Sequence, residues 1–362
     1  MSGLLLSSNS MAAESIKFST NIEIGGEYHF QLMHTDDGLR SDDVRVEETD
    51  YATKAAKVWF RGKISEEISW NVLYQLDKNV DALERYWVTN KVSDLLDVSV
   101  GKQKIKTFGY HRKLATAAAY PSRSSILTSN PLTDKLAVDI VYKLLGSVSL
   151  AFVKDYYDLT CTANPAPASP TTPNPNARQA CASWNPYDVQ KQPAIAFEWL
   201  GNLGDIQPLI QYARYDRNHS STASLGLRYK TDSMDAYADY ILDLRNDKRK
   251  DATGKAKDNE YKTEGVVLYG EIFTGSWTPY ALYSTTNLDE YKGVTEIKTN
   301  RDGVVNDNER LIAAGVFYEN YGKLYRPYVG FAATSGKYLK AINQAEESRS
   351  RFDVMVGLSG KF

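Results

Sequence analysis

Between Val98 and Thr133 the chain carries Lys102, Lys104, Lys106, His111, Arg112, Lys113 and Arg123, and not one Asp or Glu. The whole chain of 362 residues holds 43 Lys plus Arg against 45 Asp plus Glu, so this acid-free run concentrates one sign of charge. Clustered Lys and Arg can draw anions into a narrow passage and replace part of a phosphate's hydration. Arg does so through paired N–H donors, Lys as a point charge. A basic loop that meets only water, or that binds lipid phosphates, would use the same residues, and both readings stand at this point.

Other reactive side chains are sparse. Asp36, Asp37, Asp42, Asp43, Glu47, Glu48 and Asp50, and later Asp302, Asp307 and Glu309, could offer oxygen ligands to Ca²⁺ or Mg²⁺, but they lack EF-hand spacing and read as solvated acidic faces. The four histidines, His29, His34, His111 and His219, have no inferable partner for acid–base or nucleophilic work, and no phosphate-cradling Gly loop or metal-spaced His/Cys cluster is present. No enzyme activity, cofactor or metal is expected. A net charge of -2 and a pI near 6.2 give no argument for nucleic acid. Cys161 and Cys181 sit in a Pro-rich stretch; an oxidising compartment would bridge them, with about 3 kcal/mol of stabilisation by loop closure, and two free thiols are the alternative.

The elements that must position these residues are strands. In Ser15 to His34, Ile16, Phe18, Ile22, Ile24, Tyr28, Phe30 and Leu32 fall on even positions and Lys17, Ser19, Asn21, Glu23, Glu27, His29 and Gln31 on odd ones. That is the period of a strand with one apolar and one polar face. The same style recurs in about sixteen segments, paired across tight turns at Ser65–Glu67, Ser93–Asp94, Leu145–Gly146, Gly201–Asp205 and Thr231–Met234, and through Gly275 and Gly322. The intervening connections are mostly long: 33–51, 106–135, 155–192, 247–260, 285–309 and 335–349. Antiparallel strands alternate direction, so all short turns would fall at one end and the long loops at the other. This expectation belongs to an all-β fold, a transmembrane antiparallel β-barrel of about sixteen strands with short periplasmic turns and long external loops.

Mean hydropathy of -0.45 does not oppose that fold, because only alternate residues of each strand need be apolar. No stretch approaches the ~18 apolar residues of a membrane-spanning helix. The 25 Tyr suit aromatic girdles at the two edges of a membrane. Residues 1–14, with Leu4–Leu6 ahead of Met11-Ala12-Ala13, read as a signal-peptide remnant or a disordered start; residues 15–362 read as one barrel domain.

The last segment, Ser350 to Phe362, places Phe352, Val354, Val356, Leu358, Gly360 and Phe362 on one parity and ends on an aromatic. It resembles the closing strand of Gram-negative outer-membrane β-barrels, a likeness that implies recognition of Phe362 by the barrel-assembly machinery. Over residues 15–362 the pattern is similar to general bacterial porins and more loosely to the phosphate-selective (O and P type) porins. The closer local likeness is Val100 to Tyr110, which looks like the strand entering the constriction loop of that family but lacks a Pro near Lys106. The resemblance implies the bacterial outer membrane, lipid and lipopolysaccharide contacts, and a homo-oligomer, a trimer or a larger ring.

On that frame, loop 106–135 would form the constriction, with Lys104, Lys106, His111, Arg112, Lys113 and Arg123 as candidate anion-binding residues. Arg61 and Arg85 would face inward by parity, as would Lys57, Lys91, Lys143, Arg228 and Arg326 with Glu23, Glu27, Asp97, Asp139, Glu198, Asp239, Asp243 and Glu264. Lys102 shares the parity of Val98 and Val100 and faces outward unless a bulge intervenes near Gly101. The expected function is passive diffusion of small hydrophilic solutes or ions, with an anion preference resting on one loop. The alternative is a porin-like barrel with an occluded lumen that acts as a structural, lipid-organising or adhesive surface protein. A soluble all-β protein is the third reading.

Overall fold

The computed structural model describes residues 22–37, 46–76, 83–105, 107–114, 135–153, 194–214, 221–250, 256–292, 305–319, 325–339 and 347–361. Their strands are β1 (Glu23–Asp37), β2 (Val46–Lys63), β3 (Ile68–Gln75), β4 (Leu83–Lys91), β5 (Leu96–Gln103), β6 (Lys135–Tyr142), β7 (Gly146–Val153), β8 (Ala194–Gly201), β9 (Ile206–Arg214), β10 (Ser221–Lys230), β11 (Met234–Lys250), β12 (Ala256–Ile272), β13 (Trp277–Lys292), β14 (Val305–Tyr318), β15 (Arg326–Leu339) and β16 (Glu347–Lys361), with one short helix, α1 (Gly109–Leu114). Each strand pairs antiparallel with its chain neighbours, and β1 pairs with β16 from Glu27↔Lys361 to Asp37↔Arg351, closing the sheet into a barrel of sixteen strands.

Alternation decides which side chains face out. Ile210, Leu225, Tyr240 and Val266 stand opposite one another on successive strands, as do their neighbours Gln211, Ser224 and Ile241 on the other face. The first row is exposed in its large members Ile210, Leu225 and Tyr240, while the second is buried. Exposed apolar side chains of this parity occur around the barrel, including Leu32, Tyr74, Val88, Val100, Val138, Phe152, Ile195, Leu227, Leu268, Ile312, Val329 and Val354. Leaving such side chains in water forfeits about 1.5–3 kcal/mol each, so the belt they form calls for an apolar surrounding. Tyr142, Tyr229, Trp277 and Tyr325 lie towards the short-turn end of the belt, and Tyr74, Tyr86, Phe152 and Tyr212 towards the other.

The turns are sorted as expected. Tight connections at the β2–β3, β4–β5, β6–β7, β8–β9, β10–β11 and β12–β13 hairpins share one end, which also holds the start of β1 and the end of β16. The β6–β7 turn, with three residues between the strands, places both Leu145 (φ 47°) and Gly146 (φ 117°) in left-handed backbone, as tight hairpins of that length use a left-handed position.

Two expectations need correction. In the connections expected at 33–51, 247–260, 285–309 and 335–349 the described residues are strand: β11 and β12 stay paired to Lys250↔Ala256, and β14 and β15 to Val305↔Leu339. Strands β1, β2 and β11–β16 therefore run 14–18 residues, against 8–10 for β3–β10. Past the belt the outward row meets water and the inward row is polar, so the apolar–polar alternation vanishes while backbone pairing continues. The outward row shows the change: Val266 gives way to Glu264 and Lys262, and Ile312 to Arg310. Glu264, expected inward, therefore has the parity of Val266 and Leu268 and pairs with Lys262 at 2.7 Å on the outer face. Gly101 carries no bulge; pairing runs unbroken through Trp87↔Gly101 and Tyr86↔Lys102, so Lys102 faces outward and its amine donates to the Leu83 carbonyl at 3.2 Å.

Candidate functional site: the barrel interior

After β5 the chain turns into the barrel. Ala137, Ala151, Ala194, Ala196 and Ala213 occupy inward positions on β6–β9, and with Val153 they bury Ile105. A row of methyl side chains leaves a shelf deep enough for a backbone to lie on the wall, which larger residues would fill. Phe108 (φ 65°) and Gly109 (φ 77°) then turn the chain so that α1 begins against β9–β11.

Wall side chains satisfy the first helical amides. Gly109 N–H donates to Gln211 Oε1 at 2.7 Å, Tyr110 N–H to Asp239 Oδ1 at 2.9 Å and His111 N–H to Asp239 Oδ2 at 2.7 Å. These are donors that a helix start leaves without intrahelical acceptors. Gln211 is itself fixed, its amide donating to Glu198 Oε2 at 2.7 Å and its carbonyl accepting from Ser224 Oγ at 2.9 Å. Two glycines admit the Asp239 carboxylate: a Cβ on Gly109 would stand 2.5 Å from Asp239 Cγ, and one on Gly226 2.6 Å from Oδ1. The Tyr110 hydroxyl donates to the Gln207 carbonyl at 2.7 Å, and burial holds that phenol above its ordinary pKa.

The inner face divides into two unlike halves. On β9–β16 a buried apolar and aromatic cluster lies among polar side chains such as Gln211, Asp239 and Thr334: Leu209, Tyr237, Ile241, Val267, Tyr280 and Met355 are among the residues that pack with Phe108 and Tyr110. Ring contacts run from Tyr110 through Tyr237, Tyr269, Tyr280, Phe317 and Tyr328 to His29, with centroids 5.1–6.5 Å apart. Glycines on adjacent strands make room for these rings, Gly315 and Gly330 under Tyr280 and Gly357 under Tyr328. A uniformly polar lumen, as strand alternation suggests, is not what this half presents.

On β1–β4 the inner face carries ion pairs. Lys57 Nζ lies 3.8 Å from Glu27 and 3.4 Å from Glu84, Arg85 pairs with Glu84 at 2.6 Å, and Arg61 lies 3.8 Å from Glu23. Arg61 is half exposed and its guanidinium stands over the Trp59 ring at 5.3 Å. Elsewhere Lys143 meets Asp97 at 2.7 Å, Lys91 meets Asp94 at 2.6 Å, and Arg228 chelates Asp235. Arg326 pairs with Glu319 while covering the Phe317 ring at 4.5 Å. The buried pair Arg351–Asp353 is tied across the β1–β16 seam by Thr35, whose hydroxyl donates to Asp353 at 2.7 Å.

Of the residues singled out by type and spacing, Lys104 lies in a small recess with Asp139, Ser149 and Glu198. His111 is buried behind the Asp239 carboxylate, and Arg112 and Lys113 continue α1. Arg61 and Arg85 face the lumen, each beside an acid. Lys106, Arg123, the Cys161–Cys181 pair and Phe362 lie outside the described residues. Asp239 and Gln211 carried no site signal in the sequence beyond inward parity, since their contacts with α1 span more than 100 residues of chain.

Together these features define a closed sixteen-stranded antiparallel barrel with an inturned segment, the porin fold. An anion-selective porin from Comamonas acidovorans matches with TM-score 0.58 at 12% identity, covering 94% of this chain and 99% of that one. OmpT, an outer membrane protein of Vibrio cholerae in its trimer form, matches with TM-score 0.56 at 12% identity over 94% of this chain and 99% of that one. Salmonella typhi OmpF in complex with daunomycin matches with TM-score 0.57 at 9% identity over 94% and 97%. No family model and no curated protein matches the sequence. At such identities the likeness is one of fold.

Proposed function

We propose that this chain is a porin of the bacterial outer membrane, giving passive diffusion of small hydrophilic solutes or ions. The observation that carries the reading is the closed barrel with apolar rows outside and ion pairs inside. Lipid and lipopolysaccharide surround the belt in this reading, Phe362 serves the barrel-assembly machinery, and the Cys161–Cys181 bridge braces an external loop. A homo-oligomer, a trimer before a larger ring, is in keeping with the trimeric form of the Vibrio cholerae relative.

A weak anion preference is the finer proposal. The basic residues of α1 favour it, as does the selectivity of the Comamonas porin, while the acids beside Lys57, Arg61, Arg85 and Lys104 limit its strength. The phosphate-selective type rests on Val100 to Tyr110 alone. Planar-bilayer recording of the purified, folded protein should show steady ohmic steps with a reversal potential displaced slightly towards anions in a salt gradient. Folded protein that gives no steps would remove the channel reading. The second reading, an occluded barrel with a surface or structural role, is favoured by one observation, the buried aromatic and apolar cluster on the inner face of β9–β16.

A further inference from the structure

We propose that Asp239 is the positioning residue that clamps the inturned segment to the β9–β11 wall and thereby sets the channel's aperture. The inference rests on the channel reading above for its functional half and on geometry alone for the clamp. Three consecutive amides, those of Gly109, Tyr110 and His111, are received by two side chains of the β9–β11 wall, two of them by the single carboxylate of Asp239. Each carboxylate oxygen of Asp239 accepts one backbone N–H, so a single side chain fixes two adjacent amides, and it does so while 2% exposed. The approach is built from both sides, because Gly109 on the segment and Gly226 on the wall each lack the Cβ that would collide with it.

The alternative holding force is weaker in direction. Phe108 and Tyr110 pack into the apolar cluster and Ile105 onto the alanine shelf, and apolar contact tolerates sliding; the Tyr110 hydroxyl adds a bond to the Gln207 carbonyl at the end of a rotatable side chain, whereas the Asp239 bonds hold the segment's backbone itself. Asp239 and Gln211 supply that register. Gln211 cannot substitute for Asp239, because its carbonyl already serves Gly109 N–H and Ser224 and its amide serves Glu198.

The test compares wild type, Asp239→Ala and Gly109→Ala, each refolded in detergent and checked for the closed barrel by heat-modifiable gel mobility. Gly109→Ala leaves every strand intact and attacks the clamp from the segment side, so it decides the matter if Asp239→Ala does not fold. Hydrogen exchange read at the Tyr110 and His111 amides should accelerate roughly tenfold or more in both variants, while amides within β3–β5 keep their wild-type rates. In single-channel recording both variants should show raised open-channel noise and brief closures absent from wild type. Unchanged exchange at Tyr110 and His111 in a folded variant overturns the clamp. Faster exchange with unaltered conductance and noise overturns the aperture role. A silent wild-type barrel overturns the channel reading and the aperture role with it, and exchange still decides the clamp.

Discussion

The Tyr328 ring lies over Gly357 of the adjacent strand so closely that a Cβ there would come within 2.3 Å of the ring, and its hydroxyl shares a hydrogen bond with His29 Nε2 at 2.9 Å across the seam. The glycine is thus a socket that lets β15 reach past β16 to the first strand. Gly357→Ala should destabilise the closed barrel by about 1–3 kcal/mol through overpacking, seen as a lower temperature for loss of the fast-migrating form on gels. Tyr328→Leu should relieve the clash and recover part of the loss. A Gly357→Ala barrel as heat-resistant as wild type would remove the socket.

Lys57 stands between Glu27 and Glu84 on the inner wall. Lys57→Gln keeps most of the side-chain volume but removes the cation that the two carboxylates share, Arg85 remaining beside Glu84. Two unit charges about 4 Å apart interact by about 1 kcal/mol in water, so cation permeability relative to anions should rise roughly two- to fivefold. Reversal potentials in a potassium chloride gradient measure this. A shift towards anions would contradict the assignment of these acids to the conducting path.

The outward belt can be probed against the inward face at matched cost in volume. Val354→Arg puts a cation on the exposed apolar row and should cost ~2–4 kcal/mol in a bilayer, with poor insertion yield into liposomes. Asn71→Arg, opposite Arg61 and Trp87 on the lumen side, should insert near the wild-type yield. Equal yields for the two variants would mean that the belt does not meet hydrocarbon.

Burial raises the Tyr110 phenol above its ordinary range, and its hydroxyl donates to Gln207. Because the folded pKa lies above the unfolded value of about 10, this contribution to docking is fully present below pH ~10 and is lost as pH rises towards the folded value. Alkaline titration followed by tyrosinate absorbance should give the same signal at pH ~11 for wild type and Tyr110→Phe. A deficit of one tyrosinate in the variant at that pH would show that the hydroxyl is not shielded.

The strand count, the alternation of faces and the sorting of short and long connections were legible because a belt in contact with hydrocarbon imposes a period of two on sixteen segments. Ile24, Leu32, Val354 and Val356 announce their direction by type alone. Where that contact ends the code ends, which is why Glu264 reads as inward by type and why the continuations of β11 to Lys250 and β14 back to Val305 read as loop. Parity also could not say which inward positions would be wet. Tyr280 and Glu27 share the inner face, yet one is buried in an aromatic row and the other lies beside Lys57.

Local residue order thus determined a closed, two-faced sheet and the basic character of its inturned segment. Where that segment docks was decided only in three dimensions, since Asp239 and Tyr110 meet across 129 positions of chain. The physical reason is that alternation constrains each strand by itself, whereas barrel closure sets the register that brings Asp239, Gln211 and Gly226 together on one patch of wall. The same register turns Gly315, Gly330 and Gly357, unremarkable in the sequence, into the hollows that seat Tyr280 and Tyr328.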